Sequence, residues 1–81
     1  MTWNYRVVKR GHGEDTFYGI YEVYYDKDGK PELLTENPIY PIGDSIKELT
    51  EDIGYMLLAF EKPILIYEDF LMKGGYNGEN L

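Results

Sequence analysis

The stretch that most constrains this chain is residues 44–60, DSIKELTEDIGYMLLAF, its only long amphipathic segment. Its apolar residues recur at three- and four-residue steps. At about 100° per residue they fall within an arc roughly 100° wide, the width of a stripe that faces a core. The pattern therefore predicts one helix that packs this apolar stripe on the strands before it. The apolar stripe consists of Ile46, Leu49, Ile53, Met56, Leu57 and Phe60.

Both ends of this predicted helix carry specific signals. Ser45 followed by Glu48 fits a capping box, in which the hydroxyl accepts from the N–H of Glu48 and the carboxylate reaches back to the N–H of Ser45. Pro63 ends the helix, because the residue before a proline is pushed out of the α region. Gly54 inside the helix costs about 1 kcal/mol relative to alanine. It indicates either the close approach of a strand or a glycine that is simply tolerated.

Three strands are predicted before the helix. Alternation of apolar and polar residues predicts strands over about residues 2–10 and 16–25, and Gly19 in the second suggests a bulge or a close backbone approach. Asp28 and Gly29 favour a tight hairpin, which returns as a short strand over residues 31–36. Residues 64–67 are consistent either with a fourth strand or with an extended link before a helical turn at 68–72.

These elements define the predicted fold class and domain. It is α+β: a three-stranded antiparallel meander packed on one face by a single amphipathic helix, in two layers, with or without a fourth short strand. Eighty-one residues are enough for one domain, which we place at residues 1–73. Residues 74–81 are rich in glycine and asparagine and predict a flexible C-terminal tail.

Composition limits the cellular compartment that we expect for the protein. There is no cysteine, so no disulfide or thiolate site is expected and nothing indicates an oxidising compartment. The first residues do not form a signal peptide. No segment approaches the ~20 apolar residues that span a bilayer. We therefore predict a cytoplasmic protein without membrane contact.

Charge is distributed unevenly along the chain. The net charge is −7; residues 1–10 carry three bases and no acid, so residues 11–81 carry fifteen acids, five bases and a net charge of −10. Such a surface is repelled by nucleic acid, whose binding depends on phosphate neutralisation. It suits a basic protein partner, whose association it accelerates. Alternatively, the acidity serves only solubility.

Candidate catalytic residues are few. His12, the only histidine, lies between two glycines in a predicted turn, where it lacks the orienting partner and pocket of a general base. Ser45, the only serine, has no adjacent base, and its role as a cap accounts for it. We therefore predict a protein that is not an enzyme and that carries no cofactor.

Acidic residues could in principle hold a metal. Asp26 and Asp28 resemble the start of a calcium loop, but Lys30 and Asn37 occupy positions at which that loop needs oxygen ligands, so we predict a turn and no metal. Three further pairs of acids are adjacent in the sequence. Adjacent residues on a helix do not face each other, so Glu51 and Asp52 are poorly arranged for chelation. An alternative remains a metal-dependent phosphoesterase-like enzyme, which needs three or more acids converging on one face. The pairs are at residues 14–15, 51–52 and 68–69.

Nine tyrosines are too many for the core of so small a domain. Some of them must lie on the sheet face away from the helix, where they either form a protein interface or merely cover the sheet. The five considered are Tyr18, Tyr21, Tyr24, Tyr25 and Tyr40. Combining aromatic and acidic residues, we predict that a partner binds Tyr18, Tyr24, Glu48, Glu51 and Asp52.

Four segments resemble a group of small uncharacterised prokaryotic and phage proteins: residues 3–7 (WNYRV), 18–26 (YGIYEVYYD), 28–31 (DGKP) and 43–49 (GDSIKEL). More distantly, the layout and the helix start at 43–49 are similar to the N-terminal domain of HicB-type antitoxins. That resemblance implies a partial RNase H-like fold, with a fourth strand from about Ile64. It also implies a protein that binds and silences a small basic ribonuclease.

The chain departs from the HicB-type pattern in two places. Residues 68–81 are too short for the C-terminal DNA-binding module. The prolines at 38 and 41 match the family's proline-rich recognition stretch only weakly. The predicted function is a non-enzymatic acidic interaction module that binds and modulates a basic partner, such as a small ribonuclease or a host nuclease. It would be antitoxin-like or phage inhibitor-like. A homo-oligomeric structural protein, such as a homodimer paired through its sheet, is a further alternative.

Overall fold

The computed structural model describes residues 2–71 of the chain. The tail predicted over residues 74–81 lies outside the described residues, as do residues 1, 72 and 73 of the predicted domain. The elements are β1 (Thr2–Arg10), a 3-10 turn (Gly13–Asp15), β2 (Phe17–Tyr25), β3 (Pro31–Leu34), α1 (Ile46–Leu58), a 3-10 extension of that helix (Ala59–Glu61), β4 (Leu65–Ile66) and α2 (Tyr67–Leu71).

The strands form one mixed sheet in the order β3-β2-β1-β4. β1 and β2 pair antiparallel along their whole length, and β3 pairs antiparallel with β2, so the predicted meander is confirmed. β4 adds to the other side of β1 in parallel, opposite Val8 and Lys9. Of the two alternatives for residues 64–72, both features occur within the described residues 64–71, because a short strand is followed directly by a helical turn.

The hairpin between β2 and β3 is closed by two backbone hydrogen bonds of Asp26, to Lys30 and Gly29, and by the Asp26 side chain. Asp26 Oδ1 accepts from the N–H groups of Asp28 and Lys30, at 2.9 and 3.0 Å. Gly29 adopts a φ of 81°, which favours glycine. Pro31 opens β3 as expected and stands opposite Tyr25, where the register shifts by a bulge. Asp26 thus serves the turn, as predicted.

Gly19 makes room for the link that follows β3. A β-carbon at Gly19 would lie 2.9 Å from Cβ of Pro38. The link runs on beside β2, where the N–H of Ile39 donates to the carbonyl of Ile20 at 2.9 Å. Of the two predictions for Gly19, close approach is therefore the one observed, and the bulge lies elsewhere.

The hydrophobic core lies on one face of the sheet, which we call the core face, and α2 closes it. Tyr21 and Val23 of β2 are fully buried there. Tyr67 and Phe70 of α2 pack over them, with the Tyr21 and Tyr67 rings 5.9 Å apart. The guanidinium of Arg10 stacks 3.9 Å above the Tyr67 ring. The complete core cluster is Val8, Tyr21, Val23, Leu34, Tyr67 and Phe70.

Helix α1 forms where predicted, with one change at its cap. The hydroxyl of Ser45 accepts from the N–H of Glu48 at 3.1 Å. The Glu48 carboxylate, however, accepts from the N–H of Asp44, at 3.0 Å, rather than from that of Ser45. The carboxylate therefore satisfies a donor one residue before the cap.

The predicted packing of the apolar stripe on the sheet is wrong. Met56 is buried, but Ile46, Ile53, Leu57 and Phe60 are 78, 41, 62 and 67% exposed. α1 and its extension contact β1, whereas the core face is covered by α2. The helix thus presents most of its stripe to solvent.

Compared with the orientation that the apolar stripe predicted, α1 is rotated about its axis. The buried and half-buried positions of α1 and its extension are Leu49, Asp52, Met56 and Ala59. At about 100° per residue, their centre is displaced by about 70° from the centre of the stripe. A β-carbon placed at Gly54 would have nothing within 4 Å. Of the two expectations for this glycine, a tolerated residue in open space is the one that fits.

This arrangement gives opposite expectations for two phenylalanines. Phe70→Ala should lower the free energy of unfolding by about 3–5 kcal/mol, because it empties a core position. Phe60→Ala should change it by about 0.5 kcal/mol or less, since the ring is 67% exposed. Urea denaturation of dilute samples measures both. A loss at Phe60 as large as that at Phe70 would show that the stripe does face a core.

Candidate functional site

An open cleft lies between β1 and α1, on the side of the sheet away from the core face. Its volume is about 670 Å³, within the range of ligand-binding pockets. Three aromatic side chains, one carboxylate and one ammonium group border it. We call it the aromatic cleft, and it is lined by Trp3, Asn4, Tyr5, Asp52, Tyr55, Leu58 and Lys62.

Strand periodicity places the aromatic wall of the cleft. Trp3 and Tyr5 are two residues apart, so both project from the face of β1 opposite Val8. Their ring centroids are 5.2 Å apart and their planes are inclined by 79°. Tyr24 stands opposite Trp3 in the register, with ring centroids 6.3 Å apart. The sheet therefore supplies two walls that meet at nearly a right angle, with a third ring beside them.

The helix supplies the carboxylate of the cleft. Asp52 and Tyr55, three residues apart, lie on one face of α1. Asp52 Oδ1 accepts from the hydroxyl of Tyr5 at 2.5 Å, and its Oδ2 accepts from the N–H of Ile42 at 3.0 Å. This one side chain ties the helix to β1 and to the link that precedes α1.

Burial and these hydrogen bonds reinforce the charge state of Tyr5 and Asp52. Burial, followed by the hydrogen bond to Asp52, raises the pKa of Tyr5 to about 12. The hydrogen bonds from Tyr5 and then from the N–H of Ile42 lower the pKa of Asp52 below its ordinary value. At neutral pH Tyr5 is therefore a neutral donor and Asp52 a carboxylate.

A second tyrosine–carboxylate pair lies next to the cleft on the same sheet face. The hydroxyl of Tyr24 donates to Glu22 Oε1 at 2.5 Å. This hydrogen bond is the main cause that raises the pKa of Tyr24. The sheet beside the cleft thus carries another negative charge, held in place by a neutral phenol.

Arg6 anchors the end of α1 from the core face. It is 7% exposed; its Nη1 donates to the hydroxyl of Tyr25 at 2.8 Å and its Nη2 to the carbonyl of Pro63 at 2.7 Å. Tyr25 in turn donates to Oδ1 of Asn4, a cleft residue, at 2.7 Å. Nε of Arg6 has no partner among the described residues. Arg6 therefore positions the chain after α1 rather than contacting the cleft.

The structure brings some of the predicted partner-binding residues together and separates others. Asp52 lines the cleft and Tyr24 stands at its margin. Glu48 and Glu51 are exposed on α1, Glu48 being engaged in the cap. Tyr18 lies six residues from Tyr24 along β2, about 20 Å away at the rise of a strand, and so lies outside the cleft.

Six cleft residues were not predicted to bind a partner: Trp3, Asn4, Tyr5, Tyr55, Leu58 and Lys62. Only Tyr55 offered a clear signal, because it is an aromatic residue on the polar side of an amphipathic helix. It is 63% exposed. The link between Tyr5 and Asp52 spans 47 residues of chain, a separation that no local pattern reveals.

Within residues 2–71 the structure shows neither a cluster of metal ligands nor a membrane-spanning helix. No three histidine, cysteine, aspartate or glutamate side chains of that range are grouped so that they could hold a metal ion. The phosphoesterase alternative therefore gains no support there. No helix of the same range is long and apolar enough to cross a bilayer.

Comparison of the chain with protein-family models, with curated proteins and with solved structures returns no match. The order of three strands, a helix and a fourth strand is the one that the resemblance to HicB-type antitoxins implied. The same order was expected from the residue pattern alone, so it does not test that resemblance. The resemblance stays a hypothesis.

The hydrogen bond between Tyr5 and Asp52 predicts a specific titration. Asp52→Asn should lower the pKa of Tyr5 from about 12, but leave it above the ordinary value because burial is the larger cause. Ultraviolet absorbance of the phenolate measures it, and Tyr5→Phe assigns the signal. Since the folded pKa is raised, the stability linked to Tyr5 is present below pH 10 and is lost as pH rises towards 12. An unchanged titration in Asp52→Asn would contradict the pairing.

Proposed function

We propose that this protein is a non-enzymatic interaction module that binds a basic partner protein and modulates it. The observation that supports this best is the aromatic cleft, in which exposed rings stand beside an ionised carboxylate. A cleft of this kind is suited to a lysine or arginine side chain of the partner. Antitoxin-like silencing of a small ribonuclease, or inhibition of a host nuclease, are concrete forms of the proposal.

The cleft would hold a cation by two forces acting together. The faces of Trp3, Tyr5 and Tyr55 attract a cation by about 0.5–1 kcal/mol each at exposed sites. The carboxylate of Asp52 has lone pairs left after its two internal hydrogen bonds. Lys62 repels a cation at its own end of the cleft, so the cation sits at the Asp52 side. Tyrosine, tryptophan and arginine are the residues that dominate binding energies at interfaces.

Charge around the cleft favours the same class of partner. Residues 44–61 carry five acids and one lysine, a net charge of −4. Such a surface steers a basic protein towards α1 and raises the association rate. Because these charges are exposed, their effect should weaken as salt screens them. The proposal therefore includes an affinity that falls with ionic strength.

Two tyrosines of nearly equal exposure provide a matched test. Tyr55, in the cleft, is 63% exposed, and Tyr18, outside it, is 59% exposed. For a basic protein captured from the natural host by the tagged chain, Tyr55→Ala should weaken affinity about tenfold or more. Tyr18→Ala should change it less than about twofold. Isothermal calorimetry at low and high salt measures both variants.

Three results would count against the proposal. They are an equal loss of affinity in the two variants, an affinity that does not depend on salt, and a captured partner that is acidic. Circular dichroism of each variant checks that the fold is kept. We expect it to be kept, because the Tyr55 and Tyr18 side chains are both largely exposed.

A further inference from the structure

Helix α1 and its 3-10 extension expose a second surface, which the cleft does not use. Ile46, Thr50, Ile53, Leu57 and Phe60 succeed one another at steps of four, three, four and three residues, and all are exposed. This is the heptad spacing by which one helix packs along a single partner helix. We call this row the α1 seam.

Thr50, the one polar residue of the seam, is compatible with an apolar contact. The hydroxyl of Thr50 donates to the carbonyl of Ile46 at 2.9 Å. Its hydrogen-bonding capacity is thus used within the helix, and its methyl group is left for packing. At about 100° per residue, the seam is centred roughly 180° around the helix from Tyr55. A partner on the seam therefore leaves the cleft open.

The charges beside the seam indicate what covers it. Its open flank carries Lys47, Gly54 and Glu61, which follow one another at steps of seven residues. When two copies of one helix pair antiparallel, equivalent flanks meet. With Gly54 at the centre, Lys47 of each copy then faces Glu61 of the other. In a parallel pair this flank would instead face the other flank of the partner helix, where Leu49 is half-buried and Met56 is buried, so Lys47 and Glu61 would lack a charged partner there.

We propose that the α1 seam binds a second copy of this chain, as an antiparallel helix pair whose two-fold axis passes by Gly54. The flank is neutral overall, so it does not favour a basic partner as the cleft face does. Nothing lies within 4 Å of a β-carbon built at Gly54, so the space beside this residue is open to the helix of a second copy. The same patch then contributes to both sides, as a two-fold interface requires.

The size of the seam sets the strength of the pair. Fifteen helical residues extend about 22 Å. A single row of side chains of that length buries less area than the ~800 Å² per partner of a standard stable interface. We therefore expect a weak dimer, with a dissociation constant on the order of 100 µM. It will be monomeric in dilute solution and dimeric at high concentration.

Sedimentation equilibrium over about 10 µM to 1 mM tests the seam, a range chosen around that expected constant. Phe60→Glu should abolish dimerisation, because it places a charge in an apolar contact. Phe17→Glu is the matched control, since Phe17 is 44% exposed at the start of β2, and it should leave dimerisation unchanged. A strict monomer at the highest concentration, or a dimer that Phe60→Glu leaves intact, would overturn the proposal.

A charge exchange tests the antiparallel register. Lys47→Glu and Glu61→Lys each create like-charge pairs at both ends of the interface, so each should weaken association about three- to tenfold. The double variant restores opposite charges and should recover the original constant. Failure of the double variant to recover would overturn the register with Gly54 at the axis. Binding of a basic partner to the cleft is measured separately, so the two proposals fail independently.

Discussion

The rotation of α1 depends on the carboxylate of Asp52, which accepts from Tyr5 on one side and from the N–H of Ile42 on the other. The contact of Arg6 with the carbonyl of Pro63 fixes the chain just beyond the helix. Polar contacts at the middle of α1 and just beyond its end thus hold the side of the helix that meets β1. Apolar packing acts on the same side of the helix, where Met56 and Ala59 are buried.

The sheet tolerates this arrangement because its core face has another cover. α2 is only five residues long, yet Tyr67 and Phe70 are large enough to close the core over β1 and β3. Glu68 accepts from the N–H of Gly11 at 2.9 Å and holds α2 against the turn after β1. With that face covered, α1 has β1 left to pack against, and the stripe stays outside. An exposed apolar row of this size is typical of an interaction surface rather than of an isolated domain.

Local patterns in the sequence were sufficient for the elements and insufficient for their packing. Alternation in β1 and β2, the turn at Asp28 and Gly29, and the cap at Ser45 each act within a few residues, so they predicted the meander and the helix. An amphipathic stripe indicates that a helix packs its apolar side on another surface, but it does not indicate which surface. The packing of α2 could not be predicted, because five residues show no period. The cleft depends on Tyr5 meeting Asp52 across 47 residues, which only the folded chain reveals.

The division of α1 into faces connects the two proposals. One side is buried against β1, the side of Tyr55 and Glu51 is acidic and aromatic, and the seam is apolar with a neutral flank. Charge thus separates a face suited to a basic protein from a face suited to a second copy. Pairing through the seam would leave two clefts on the outside of one dimer, related by its two-fold axis. A basic partner that is itself two-fold would then bind both at once, and avidity would exceed the affinity of either cleft without any new contact.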